Sequence, residues 1–337
     1  MDPLSDVLFL LRPRTYMSGG FDMGGAWSVR FPQHEGIKCY ALISGQCWLS
    51  VDGVTDAVRL TNGDCFLLPH GRPFTLANDL TLTPVDAYTL FPLPPHGAIR
   101  SVNGGGDCSG VWGYFALAGN HADMLLGVLP PIVHIQRESD KAAMRWYLEQ
   151  MMMELREPQP GGFWLGQQLA SMMLVQALRL HLADGLNAGV GWLFALADKE
   201  MSATISAMHN APGHRWTLQK LAERAGMSRS AFALRFKETV GTSPMEYLTR
   251  WRMLLAGDRL MNSSDSVSTI APALGYESES AFSTAFKRVM GCSPRQYSRG
   301  NQLTSPSRRE RLAPLPDLLT ALQPSTFSEA RGTVKTR

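Results

Sequence analysis

A thirteen-residue phrase occurs twice, as FKETVGTSPMEYL from Phe236 and as FKRVMGCSPRQYS from Phe286, fifty residues apart. Phe, Lys, Gly, Ser, Pro and Tyr fall at the same relative places in both copies. Repetition at a fixed spacing means one supersecondary unit built twice. The residues before each copy say which unit. In TLQKLAERAGMSRSAFALRFKETVG, Leu218, Leu221, Ala222 and Ala225 form one apolar helical face. Gly226 then permits a tight turn, and Ser228 is placed to N-cap a second helix. Phe232, Phe236 and Val240, at i, i+4 and i+8, would seal that second helix onto the first. The later copy, VSTIAPALGYESESAFSTAFKRVMG, repeats the scheme with Ile270, Ala271 and Leu274, a turn at Gly275, a cap at Ser278, then Phe282 and Phe286. Two short helices joined by a glycine turn make a helix-turn-helix. Pro272 falls inside a predicted helix and should shorten it.

The repeated phrase itself is punctuation. Gly241 and Gly291 suit a helix C-terminus in the left-handed conformation. Ser243-Pro244 and Ser293-Pro294 put a capping hydroxyl and a first-turn proline at a new helix start, and Glu246 and Gln296 would complete capping boxes. YLTRWRMLLAGDRLM is then the rigid helix that holds the two units apart.

The net charge of +3 conceals an asymmetry. Residues 1–135 carry −4 and residues 136–210 carry −2, whereas 211–300 carry +6 and 301–337 carry +3. The segment holding the repeat is therefore the cationic one, as a polyanion partner requires.

With 337 residues and 45% hydrophobic content, the chain predicts two domains with real cores. Up to about residue 135, short apolar stretches alternate with Gly, Pro, Asn and Asp, as in CYALISGQCWLSVDG and VRLTNGDCFLLPHGRPFTL. They read as strands and tight turns of a small barrel or sandwich. From Ser139 the spacing becomes helical, with three helices expected in DKAAMRWYLEQMMMELRE, FWLGQQLASMMLVQALRLHLADG and WLFALADKEMSATISAMH. Their Met and Leu stripes read as packing faces, with a dimer interface a further expectation. The last thirty-odd residues, rich in Ser, Pro, Thr and Arg, read as a mobile basic tail.

No apolar run approaches the roughly 18 residues of a membrane span. The opening MDPLSDVLFLLRPR lacks the basic start of a signal peptide. Five cysteines, scattered and without CxxC spacing, argue for reduced thiols in a cytoplasm.

At the double unit closed twice by GxSPxxY, residues 211–300 resemble the AraC/XylS-type DNA-binding domain. That resemblance implies two helix-turn-helix units entering successive major grooves of promoter DNA, about 34 Å apart. Members commonly carry an Arg six residues after the capping Ser; here those places hold Leu234 and Thr284. The expected DNA-facing residues are Arg229, Ser230, Ala233, Leu234, Arg235 and Lys237 in the first recognition helix, and Ser280, Ser283, Thr284, Lys287 and Arg288 in the second. Basic side chains would reach phosphate, and small polar ones base edges.

GDCFLLPHGRPFTLAN, Gly63 to Asn78, resembles the second cupin motif, with Phe74 where a metal-binding His belongs. In the first motif His34 survives, Pro32 replaces the other His, and Lys38 replaces the Glu. One imidazole cannot hold a divalent ion, so no metal or other cofactor is expected. The resemblance implies that His34, Lys38, Tyr40 and Phe74 face the barrel interior, where Lys38 hints at an anionic or carbonyl ligand.

The whole then reads as an α+β multidomain chain. A cupin-like sensory barrel spans 1–135, a helical linker 136–210, an all-α double helix-turn-helix 211–300, and a basic tail 301–337. Its expected role is transcriptional regulation without catalysis. Its expected partners are double-stranded DNA, an unknown small-molecule effector, RNA polymerase and a second copy, with no membrane. Two alternatives stay open: a cupin-type enzyme on a DNA-binding domain, and a redox sensor using Cys39, Cys47 and Cys65. An alkyl-transfer repair protein would need a Pro-Cys motif, which is absent.

Overall fold

Asp2 and Pro3 begin an element that the sequence reading missed. The Asp2 carboxylate accepts the Ser5 backbone N–H at 3.0 Å, and Pro3 fits the first turn of helix α1 (Pro3–Leu11). The computed structural model describes residues 2–91, 98–117, 126–184 and 190–304, so the tail from residue 305 lies outside the described residues.

The expected strands form two stacked sheets. Strands β1 (Arg14–Met23), β2 (Ser28–Phe31), β3 (Ile37–Ser44), β4 (Gln46–Val51), β5 (Val58–Thr61), β6 (Cys65–Leu68) and β7 (Phe74–Ala77) come first. They are followed by β8 (Val85–Asp86), a short helix α2 (Ala87–Leu90), β9 (Ile99–Val102), β10 (Cys108–Ala116) and β11 (Val133–Ile135). One sheet runs β11-β6-β3-β10-β1-β9 and the other β5-β4-β7-β2-β8. Among the described residues the two sheets share no strand pairing, so they do not join into one closed barrel, and their outermost strands have only two to four residues.

Alternation along β3 places the cavity. Tyr40 and Leu42 belong to the apolar cluster between the sheets, while Ile37, Cys39 and Ala41 belong to the cluster on the opposite face. Helices α3 (Glu138–Arg156) and α4 (Gly162–Asp184) cover that opposite face with Met144, Leu148, Met151, Leu169 and Met173.

The third expected helix is broken in two. A 3-10 turn at Phe194–Ala197 precedes α5 (Lys199–Asn210) because Asp198 takes an extended conformation and its carboxylate caps the N–H groups of Glu200 and Met201.

Six helices follow: α6 (Leu218–Arg224), α7 (Arg229–Val240), α8 (Pro244–Asn262), α9 (Val267–Ala273), α10 (Glu279–Met290) and α11 (Pro294–Thr304). Phe232, Phe236 and Val240 are buried as their spacing requires, and so are Phe282 and Phe286. Helix α9 ends one residue after Pro272. The two units differ in how they are anchored. The first shares the continuous core that begins at the outer face of the six-stranded sheet, through Trp192, Ile205 and Met208 to Leu221 and Phe232. The second has a core of its own, built on Met253, Ala256, Ile270, Phe282 and Phe286.

Candidate nucleic-acid interface and ligand cavity

Both candidate recognition helices are started and stopped by the same devices. Ser228 accepts the Ala231 N–H at 3.3 Å and Ser278 accepts the Ala281 N–H at 3.1 Å. Gly241 (φ 82°) and Gly291 (φ 77°) close the helices in the left-handed region. After the second, Ser293 and Gln296 form a full capping box. The Ser293 N–H donates to Gln296 Oε1 at 3.0 Å, and its hydroxyl accepts the Gln296 N–H at 3.3 Å. After the first only half is made, because Glu246 turns to Arg250 at 2.6 Å.

Burying one side of α7 and α10 leaves the expected contact residues on the other. On α7, Arg229, Ser230, Leu234, Arg235 and Lys237 are exposed and Ala233 is half-buried. Leu234, at 60% exposure, puts an apolar side chain on that outward face. On α10, Ser280, Thr284, Lys287 and Arg288 are exposed and Ser283 is half-buried. The Thr284 hydroxyl donates to the Ser280 carbonyl at 3.0 Å, which leaves its methyl and oxygen lone pairs for a partner.

Arg235 is already engaged. Its guanidinium donates to Asp198 at 2.5 Å and lies 3.5 Å from Glu200, both at the start of α5. Burial pushes the Asp198 carboxyl up, but the Met201 N–H and Arg235 together hold it below its ordinary value.

Two residues that the sequence reading did not single out fix the units in place. Arg252 of α8 donates to the carbonyls of Pro212 at 2.6 Å and His214 at 2.9 Å, and lies 5.7 Å from the Tyr276 ring centroid. It thus ties the lead-in of the first unit to the turn of the second. His209 of α5 stacks on Trp251 of α8, with ring centroids 3.7 Å apart. Burial pushes His209 down to about 3, so its imidazole is neutral at pH 7. An ionised carboxylate can only accept, so Nδ1–H donates to Asp6 of α1 (3.2 Å) and Nε2 accepts from the Tyr247 hydroxyl (2.8 Å). Arg12 beside α1 adds an ion pair to Asp258 of α8 at 2.9 Å. Helix α1 therefore joins the sheet-bearing half to the connector between the two units.

The second site lies between the sheets, a cavity of about 470 Å³ lined by Trp27, Phe31, His34, Lys38, Tyr40 and Arg100, among others. Of the cupin-motif positions, His34, Lys38 and Tyr40 line it. Phe74 is fully buried and stacks on Phe31 with centroids 4.5 Å apart, so it backs the cavity wall rather than lining it. Tyr40 is buried against Phe66, and burial pushes its hydroxyl pKa up. The Lys38 ammonium sits 5.1 Å from the ring centroids of both Phe31 and Phe74. Burial pulls Lys38 down to about 8. Burial, and secondly the Lys38 charge, pull His34 down to about 4, with the nearby carbonyls of Leu68 and Pro32 opposing. Among the described residues, neither ring nitrogen of His34 has a partner in hydrogen-bonding geometry.

One neutral imidazole beside an ammonium and a phenyl ring does not fit a cupin metal. Among the described residues, no group of three or more His, Cys, Asp or Glu side chains is placed to hold a metal ion. Cys39, Cys47 and Cys65 are buried, and the Cys65 thiol is pushed up by its hydrogen bond with Cys39 and by burial. A reactive thiol needs the opposite shift.

The Cupin family matches residues 2–183, and a Helix-turn-helix domain family matches residues 221–300. Over 281 residues the chain is 40% identical to an AraC-like transcription regulator of Streptomyces lividans, covering 83% of this chain and 92% of that protein. It is 30% identical over 268 residues to the HTH-type transcriptional regulator AlkR of Acinetobacter baylyi, covering 76% and 85%. Among solved structures, the DNA-binding domain of AdpA, the global transcriptional factor, in complex with a target DNA, is similar at 30% identity; it covers 31% of this chain and 94% of that one, with a TM-score of 0.30. A double helix-turn-helix behind a cupin-like half, shared along most of its length with such a relative, places this chain in the AraC-like transcription regulators, DNA-binding proteins with an N-terminal ligand-sensing domain.

Proposed function

We propose that α7 and α10 enter two successive major grooves on one face of promoter DNA and that an effector between the sheets controls the outcome. The observation that carries this reading is the paired exposure of small polar and basic side chains on two helices capped alike. Arg229, Arg235, Lys237, Lys287 and Arg288 neutralise phosphates, while Ser230, Ala233, Leu234, Ser280, Ser283 and Thr284 face base edges. In this reading the sensory part is 1–135, the linker 136–210 and the DNA-binding part 211–300.

The chain acts without catalysis, in the cytoplasm, with RNA polymerase as its downstream partner. A homodimer is supported by large apolar side chains exposed on α3 and α4, namely Trp146, Met153, Trp164 and Met172.

The test is footprinting and anisotropy of the full chain on its own promoter region at several salt concentrations. Two protected patches about one helical turn apart are expected, with affinity falling steeply as salt rises. A single patch, or an affinity indifferent to salt, would count against the reading.

A further inference from the structure

We propose that the cavity between the sheets binds an organic acid, an apolar body bearing one carboxylate whose charge is taken by Lys38 and Arg100. The proposal rests on the reading of the N-terminal half as ligand-sensing and adds the chemistry of the ligand.

Three side chains that line the cavity, Lys38, Arg100 and Trp27, carry donors without an acceptor among the described residues. Lys38 has aromatic faces on two sides and, among the described residues, no hydrogen-bond or ion-pair acceptor. Arg100 of β9 and Trp27 each carry a buried N–H, at Nε and Nε1, with no partner among the described residues. The carboxylate on the cavity wall, Glu35, is exposed and pairs with neither cation. A half-buried cation without a counter-ion, and buried N–H groups without acceptors, are costly. A carboxylate has four lone-pair sites, enough in number to accept from more than one such donor.

Other ligand classes fit less well. A neutral hydrocarbon leaves Lys38 uncompensated, and an amine is repelled by it. A sugar or nucleotide needs many polar partners, whereas the remaining wall is dominated by rings and aliphatic side chains such as Phe31, Trp112, Val29 and Leu76. The volume of about 470 Å³ lies within the usual range for small-molecule sites.

Trp27 and Trp112 line the cavity, so their fluorescence reports its occupancy. The full chain would be titrated with decanoate and 4-phenylbutyrate, and with the matched alcohols 1-decanol and 4-phenylbutanol. Saturable quenching by at least one acid is expected, with its alcohol weaker by about tenfold or more. Lys38→Met and Arg100→Gln should each weaken that acid by about tenfold while leaving the alcohol's dissociation constant in place, which also checks that the cavity stays intact. The proposal is overturned if the alcohols bind as tightly as the acids, if neither acid binds, or if both variants bind the acid as the parent does. DNA binding by the same preparation tests the regulator reading separately. A protein that binds its promoter but neither acid loses this proposal and keeps that reading.

Discussion

Lys38 is a half-buried ammonium between two aromatic rings, and holding it there has a measurable cost. Its folded pKa of about 8 lies below the ordinary 10.5, so between these values the unfolded chain binds more protons than the native one. The native penalty is therefore complete below pH 8 and fades as pH climbs toward 10.5. Lys38→Met should raise the thermal midpoint of the ligand-free protein at pH 7, and the advantage should shrink on the way to pH 10.5. Calorimetry across that range checks it, and a pH-independent advantage would mean that packing rather than charge had changed. Among DNA-facing residues, Arg235 must exchange Asp198 for phosphate if it is to contact DNA. Arg235→Ala is expected to weaken binding to all sequences alike and to lower the salt slope by about 1, whereas changes at Ser230 and Thr284 should alter base preference at two places about one helical turn apart. Binding-site selection with the three variants tests this. Relaxed preference at one base pair in Arg235→Ala would instead make it a base reader.

At the scale of elements, the two copies of the repeat look equivalent in sequence and differ in surroundings. An alanine Cβ at Gly291 would meet open space, whereas one at Gly241 would lie 3.2 Å from Val190 Cγ1. Each substitution forces a left-handed Ala, at about 1–2 kcal/mol, and Gly241→Ala must also displace Val190. Gly241→Ala should therefore be the more destabilising of the two in urea unfolding; equal effects would argue that Val190 yields freely. The repeat also marks how far the sequence could be read. Caps, turns and the Phe faces were legible because each depends on residues within one or two turns. The break at Asp198 went unseen, since its apolar flanks continue a helical rhythm and only the cap position of its carboxylate decides otherwise. Helix α1 was signalled by Asp2-Pro3 but passed over among flanking leucines. Arg100 and Trp27 belong to the cavity through the pairing of β9 with β1 and of β2 with β7, and no local pattern announces long-range pairing. Hence His34, Lys38 and Tyr40 of the motif line the cavity, Phe74 stands behind its wall, and the residues brought in by strand pairing carry no local signal.

At the scale of the whole molecule, the core that passes from the six-stranded sheet into the first helix-turn-helix stops short of the second. Native-state hydrogen exchange should consequently find amides of α9 and α10 opening at lower free energy than those of α6 and α7. Identical opening energies in both pairs would contradict separate cores. The same arrangement bears on how such a chain can be taken apart. Cutting at residue 210 would strip Met208 and Ile205 from Leu221 and Phe232 and remove Asp198 from Arg235, leaving the first unit with a bare apolar flank and a released cation. A fragment or a fusion built on that cut would inherit a reader with one firm hand and one loosened, so grafting this DNA-binding half onto a foreign sensor means carrying α5 along with it.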